Sequence, residues 1–476
     1  MKNIISLLIL SFFTISSLSL HARITLPEIV GDNMVLQQNS EVKLWGEATP
    51  NHVVTVKTSW TEETFKTTSD SNGDWIINIS TPKASFKPQK ITIADEEELT
   101  LENILVGEVW LASGQSNMEM PLNGFRNNPI YDNNHIIALS GQDKGIRFVT
   151  IHKTADEQPQ KYVKGDWKVC NPENSPWFSA TAYHFAKTLT QALDVPVGII
   201  VSSWGGSRVE AWINRETLES YKDFDLNKEL QIEKDWKRPL VMYNAMINPI
   251  TNYTIKGFIW YQGEANVGEH KVYHNRLKDM VNIWRTDWGL GDLPFYYVEI
   301  APYIYGDGEQ GISAALLRES QFKAQSIIPN SGMISTNDLV EEYEKANIHP
   351  KNKTDVGRRL AYMALNETYG YGNIAAKGPE YREMEIKDNK IIIYLDNVSD
   401  GFNVTSNIEG FEIAGEDRKF LPADAKVDGN NLCIELSNEN IDKPIAARYC
   451  FKNFQVGNLK NTRGLPLVPF RTDNFE

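Results

Sequence analysis

Between residues 104 and 377 the chain alternates two kinds of hydrophobic pattern. Short continuous apolar runs at 104–112, 195–202, 257–261, 295–300 and 332–336 have the length and unbroken character of strands buried on both faces. Between or after them, apolar positions recur at helical spacing over 182–193, 273–284, 314–328 and 355–365. The last of these reads most clearly: Thr354 as N-cap, Asp355 in the positive first turn, and a stripe of Val356, Leu360 and Met363. Strands alternating with helices predict an open parallel sheet covered by helices, a fold that takes its ligands at the carboxyl ends of its strands.

The flanks follow a different period. Runs at 42–46, 53–56, 75–79 and 91–93 alternate near period two, with Asp70-Ser71-Asn72-Gly73 as a hairpin turn. A small β-sandwich over 23–103 is expected. After 378 the alternation returns: 384–386 and 391–395 flank a turn at 387–390, and short runs continue through 448–451, so a second all-β unit spans 378–476. Before all of this, residues 4–20 carry no charge behind Lys2, and Ala22 closes the run. That reads as a signal peptide over 1–22. The alternative, a membrane anchor, is opposed by Ser16, Ser17 and Ser19 and by a length barely able to span.

Composition narrows the partners. The 476 residues include 48 basic and 62 acidic side chains, a net charge of −14, so the long-range field repels nucleic acid and anionic membranes. A neutral or small-molecule partner suits it better. Only Cys170, Cys433 and Cys450 are present, which is too few for a disulfide framework even in an exported protein. Cys433 and Cys450 sit in neighbouring strand-like runs, where pairing is open, and Cys170 reads as a small core residue. No Cys/His cluster suggests a metal, and no cofactor motif stands out.

Candidate chemistry lies where the apolar runs end. The first enters Ala112-Ser113-Gly114-Gln115-Ser116-Asn117, which puts the Ser116 hydroxyl at the carboxyl edge of the sheet among turn amides able to face an oxyanion. The second enters Trp204-Gly205-Gly206-Ser207-Arg208, where either glycine could bring a second N–H close. The third enters Tyr261-Gln262-Gly263-Glu264-Ala265-Asn266; Gln262 or Asn266 could donate a side-chain N–H, and Glu264 suits loop support. A serine needs a base, and histidine serves at neutral pH. Among the histidines, His349 stands in the loop between the last strand and the final helix. Asp338, just past that strand, heads the acids that could orient it, ahead of Glu341, Glu342 and Glu344.

Taken together, Gly114-Gln115-Ser116-Asn117-Met118, Trp204-Gly205-Gly206-Ser207, Trp260-Tyr261-Gln262-Gly263-Glu264 and Ile348-His349-Pro350 resemble the sialate O-acetylesterase family, a branch of the SGNH (GDSL-like) hydrolases. The resemblance runs from Met34-Val35-Leu36-Gln37 to Pro469-Phe470-Arg471-Thr472. It implies a three-layer α/β/α hydrolase domain over 104–377 and metal-independent removal of O-acetyl groups from sugars. Ser116 would be nucleophile, His349 base, and Gly205 or Gly206 an oxyanion donor. The orienting acid of the superfamily usually stands three residues before the histidine, where this chain has Ala346. Either Asp338 serves, or a Ser-His dyad is held by backbone. For the sugar, Trp204, Trp212 and Tyr261 could stack on a ring and Arg208 could meet a sialic acid carboxylate, or instead pair with Glu210. Acetylated xylan or xyloglucan is the rival substrate, and an inert glycan-binding protein the rival of another class.

Overall fold

A computed structural model of the chain describes residues 24–429 and 432–475, and the expected leader at 1–22 lies outside them. Six parallel strands form the central sheet: β1 (Glu98–Gly114), β2 (Ile146–Thr150), β3 (Val197–Ser203), β4 (Gly257–Tyr261), β5 (Phe295–Val298) and β6 (Ser331–Ile334). Their spatial order is β2-β3-β1-β4-β5-β6, with the short strand Lys168–Val169 antiparallel at the β2 edge. Chain progression therefore reverses at β1, and the loops leaving β1, β3 and β4 meet at the crevice where ligands bind in such sheets.

Side-chain alternation along each strand feeds two cores. Val109 and Leu111 of β1 join a cluster with Tyr273, Leu277 and Trp284 of α3 (His270–Trp288) and Leu317 of α4 (Ser313–Ala324). Trp110 and Ala112 join another with Phe185 and Leu189 of α2 (Ala180–Leu193) and Leu360 and Met363 of α5 (Lys353–Glu367). Both faces are thus covered, which is why these strands read as continuous apolar runs. Helices α2 and α5 approach closely at Gly357, where a Cβ would lie 2.4 Å from the Thr181 carbonyl oxygen. The N-cap of α5 is Asn352, whose Oδ1 accepts from the Asp355 N–H at 3.1 Å, and not Thr354, whose hydroxyl contacts His184 instead. Strand β2 escaped the sequence pattern because Arg147 interrupts five residues; its guanidinium is buried against the carbonyls of Lys144 and Ile146.

Two β-rich regions flank this sheet. In the first, β1 itself continues backward, pairing antiparallel with Ser85–Ala94 and parallel with Val35–Gln37, so position 103/104 falls inside one unbroken strand. The residues 70–73 do not close a hairpin. They pass the chain from Thr64–Thr68, paired with Val53–Thr58, to Asp74–Ser80, paired with Glu41–Glu47 in a separate sheet. The second region has two four-stranded antiparallel sheets around a core of its own, including Ile393, Ile413, Ile434 and Tyr449. Here Glu380–Lys387 and Lys390–Asp396 do form a hairpin. Cys433 lies in a strand of one of these sheets, Cys450 directly follows a strand of the other, and both are unpaired, as is Cys170. Among the described residues no helix is long and apolar enough to cross a membrane.

Candidate active site

Strand β1 ends at Gly114 with φ of +133°, and a Cβ there would meet the Tyr261 carbonyl oxygen at 2.2 Å. Only glycine fits that bend. The next residue, Gln115, pins the turn: its N–H donates to Tyr261 O at 2.9 Å, and its Oε1 accepts from the N–H groups of Gly263 and Ala265 at 3.3 Å. Ser116 then opens a single helical turn, α-helical over Ser116–Glu119, so its own N–H has no intrahelical acceptor.

His349 reaches Ser116 from the loop between β6 and α5, with Nε2 2.9 Å from Oγ across 233 residues of sequence. For Nε2 to accept the hydroxyl proton, the neutral ring must carry its own on Nδ1. Asn347 clamps the loop by accepting from the His349 N–H at 3.0 Å and donating to its carbonyl at 2.9 Å. The Phe125 ring meets the imidazole edge to face at 5.2 Å. Burial, then the Lys353 charge, pulls the His349 pKa down to about 4, so the ring is neutral at neutral pH and its Nε2 lone pair is free to accept a proton.

Beneath the pair lies a buried network absent from the sequence expectations. Asn117 donates from Nδ2 to Glu264 Oε1 at 2.5 Å and to the Ile348 carbonyl at 3.0 Å, while its Oδ1 accepts from Lys353 Nζ at 2.6 Å. One amide thus ties the nucleophile turn to the β4 loop and to the histidine loop. Lys353 is fully buried, 5.5 Å from the Tyr261 ring centre, and burial lowers its pKa to about 7 against the pull of Glu264 and Glu344. Burial raises that of Glu264, against its own N–H, Asn117 and Lys353. Adjacency of Asn117 to Ser116 was the available signal; a lysine one helical turn past the histidine carries no mark of burial, since lysines are ordinarily exposed.

The other expected residues divide. Asp338 makes no hydrogen bond to His349. Its oxygens accept from Arg359 Nη1 and Nη2 at 2.7 Å each, and Lys460 of the C-terminal unit lies 2.6 Å away. Burial pushes its pKa up, yet these cations outweigh that and hold the carboxyl below its ordinary value. The side-chain amides expected at the oxyanion are also committed. Gln262 Nε2 donates to Ser207 O at 3.0 Å and Asn266 Oδ1 at 2.7 Å, and Asn266 Nδ2 donates to Glu210 at 3.0 Å and Glu269 at 2.8 Å. Gly205 does approach: a Cβ on it would lie 3.2 Å from Ser116 Cβ. Its N–H donates to Glu119 Oε2 at 2.7 Å. Gly206 has φ of +80° and backs onto Trp236. Arg208 is taken up by Glu210, Glu229 and Glu269 at 3.3, 3.1 and 3.0 Å. Trp212 and Tyr261 are buried in the two cores, and Trp204 is half-buried with Lys153 5.9 Å from its ring centre.

A serine hydroxyl meeting a neutral imidazole at the switch point of a parallel sheet is the equipment of a hydrolase of carboxylic esters, and comparison with known proteins agrees. The family described as carbohydrate esterase, sialic acid-specific acetylesterase, matches residues 106–366. The chain belongs to that family. It is 28% identical over 400 residues to the sialate O-acetylesterase of Homo sapiens, covering 77% of this chain and 75% of that protein. The Mus musculus protein of the same name is 25% identical over 508 residues, covering 93% of each. Among solved structures, a carbohydrate acetylesterase from Xanthomonas citri superposes with a TM-score of 0.85 at 32% identity, over 95% of this chain and all of that one.

Proposed function

We propose that the chain is an exported esterase that removes O-acetyl groups from sialic acids by serine acyl-enzyme catalysis, with Ser116 and His349 acting as a dyad. The 2.9 Å contact between Ser116 Oγ and His349 Nε2 carries this reading. Ser116 Oγ attacks the acetyl carbonyl as Nε2 takes its proton. The tetrahedral oxyanion is received by the N–H groups of Ser116 and Gly205, the latter released from Glu119. Nε2 then returns the proton to the sugar oxygen as its bond to carbon breaks. Water attacks the acetyl-enzyme with Nε2 again as base, and acetate leaves while Ser116 recovers its proton.

The reading includes a three-layer SGNH architecture for 104–377, β-units over 23–103 and 378–476, and cleavage of a leader at 22. Support comes from the helix-covered parallel sheet and the family match. The test is acetate release from an O-acetylated sialic acid and from 4-nitrophenyl acetate. Ser116→Ala should lower turnover by about 10⁴- to 10⁶-fold on both; near-normal turnover in that variant would remove Ser116 from the chemistry.

A further inference from the structure

Of the residues expected to recognise the sugar, Trp212, Tyr261 and Glu264 are buried, Arg208 is paired and Trp204 is half-buried, yet a groove of about 750 Å³ opens beside the dyad. It adjoins the dyad through two of its lining residues: Phe125, which touches His349, and Glu119, which holds the Gly205 N–H. Its wall carries Trp177, which is 69% exposed, more than any other large hydrophobic side chain among the described residues. That exposure is not looseness. Trp177 ends the 3-10 turn Ser175–Trp177, and the next residue, Phe178, is buried and stacked on Phe148 at 4.3 Å. An indole left open to water on a pinned backbone beside an esterase site has the form of a platform for the face of a sugar ring.

Arg126 stands at the tip of the neighbouring turn, closed by the reciprocal bonds Phe125 N–H to Asn128 O at 3.0 Å and Asn128 N–H to Phe125 O at 2.9 Å. That loop is fastened to the Trp177 segment: the Asn123 N–H donates to Pro176 O and the Leu122 N–H to Phe178 O, both at 2.9 Å. The groove's acids are matched within it, Glu119 by Lys153 at 2.7 Å and Asp166 by Lys168. Arg126 has no ion pair among the described residues. In a chain of net charge −14, the groove beside the nucleophile therefore offers an unmatched guanidinium, which suits a carboxylate.

We propose that this groove binds the sugar part of the ester, with Trp177 under the ring and Arg126 on a carboxylate carried by that sugar, so that Arg126 selects acidic over neutral acetylated glycans. The inference rests on Ser116 as nucleophile. It is tested with three substrates: an O-acetylated sialic acid, an acetylated xylo-oligosaccharide, and 4-nitrophenyl acetate, which has neither carboxylate nor sugar. Arg126→Gln should lower kcat/KM about tenfold on the sialic acid alone, through KM. Trp177→Ala should raise KM for both sugars and leave the small ester unchanged. Loss of activity on all three substrates together, or no change with the sialic acid, would overturn the assignment. A Ser116→Ala enzyme that still turned over would instead strike the underlying reading, so the two failures are separable.

Discussion

Ser116 and His349 are held by different kinds of structure. The serine sits on the end of the central strand, its turn bonded to the neighbouring strand by Gln115 and to a buried carboxylate through Asn117. The histidine rides a loop. Its backbone is clamped by Asn347, the preceding carbonyl is held by Asn117, and its ring meets Ser116 and the edge of Phe125. No carboxylate hydrogen-bonds the ring among the described residues. On the dyad reading, orientation that a conventional triad obtains from an acid would come from main-chain contacts and packing, and both halves of the site converge on one side chain, Asn117.

The comparison breaks most severely if the histidine is dispensable. His349→Ala should lower turnover on 4-nitrophenyl acetate by about 10⁴-fold or more, close to the loss on removing the nucleophile, because members of such a unit act together. A variant retaining a tenth of the activity would mean another base reaches Ser116. Next in size is Asn117→Ala, which severs the link between the halves while keeping both reacting groups in the chain. Misplacement by about 1 Å costs on the order of 100-fold, so kcat should fall by about that factor with KM unchanged; a loss confined to KM would contradict a positioning role.

Lys353 sharpens the comparison through pH. His349 must be neutral to act as base, so kcat/KM falls as pH drops through its folded pKa of about 4. Burial is the larger cause of that low value, and the Lys353 charge the second. In Lys353→Met the cation is gone, the imidazole protonates more readily, and the acid limb of the kcat/KM profile should move to higher pH while staying below the free-histidine value of about 6.5. A uniform loss at every pH, with the limb unmoved, would mean that Lys353 supports the loop without acting on the ring.

The contrast between the two halves also separates what the sequence made legible. Strand ends rich in glycine drew attention to Ser116, and the position between strand and helix drew attention to His349, because each motif is local to one turn; the structure brings the two side chains within 2.9 Å. The network under them joins residues 117, 264, 348 and 353, a connection that exists only when three loops meet at one rim. Gln262 and Asn266 show the same limit: amide side chains after an apolar strand suit an oxyanion, but in the structure their N–H groups donate to Ser207, Asn266, Glu210 and Glu269, partners that no local pattern reveals. Strand β2 was hidden by Arg147, and the hairpin expected at 70–73 proved to be a passage between sheets.

Asp338 gives the smallest effect on catalysis and the plainest division between orienting acid and structural ion. Its carboxylate is buried between Arg359 of α5 and Lys460 of the C-terminal unit, so it fastens that unit to the hydrolase sheet. Were it the third member of a triad, Asp338→Asn would cost about 10⁴-fold in turnover with the fold intact. The geometry predicts the reverse. Turnover should stay within a few-fold of the parent, while stability drops by about 3 kcal/mol because the buried Arg359 and the half-buried Lys460 lose their counter-charge. The sign with pH follows from the depressed pKa. The parent keeps this stabilisation above the ordinary aspartate range and loses it as pH falls through the folded value, whereas the variant has none to lose. Thermal melting of both proteins from pH 7 downward should therefore converge, with kcat at pH 7 measured alongside. A variant with the parent's melting temperature and greatly reduced kcat would place Asp338 back in the chemistry and end the dyad.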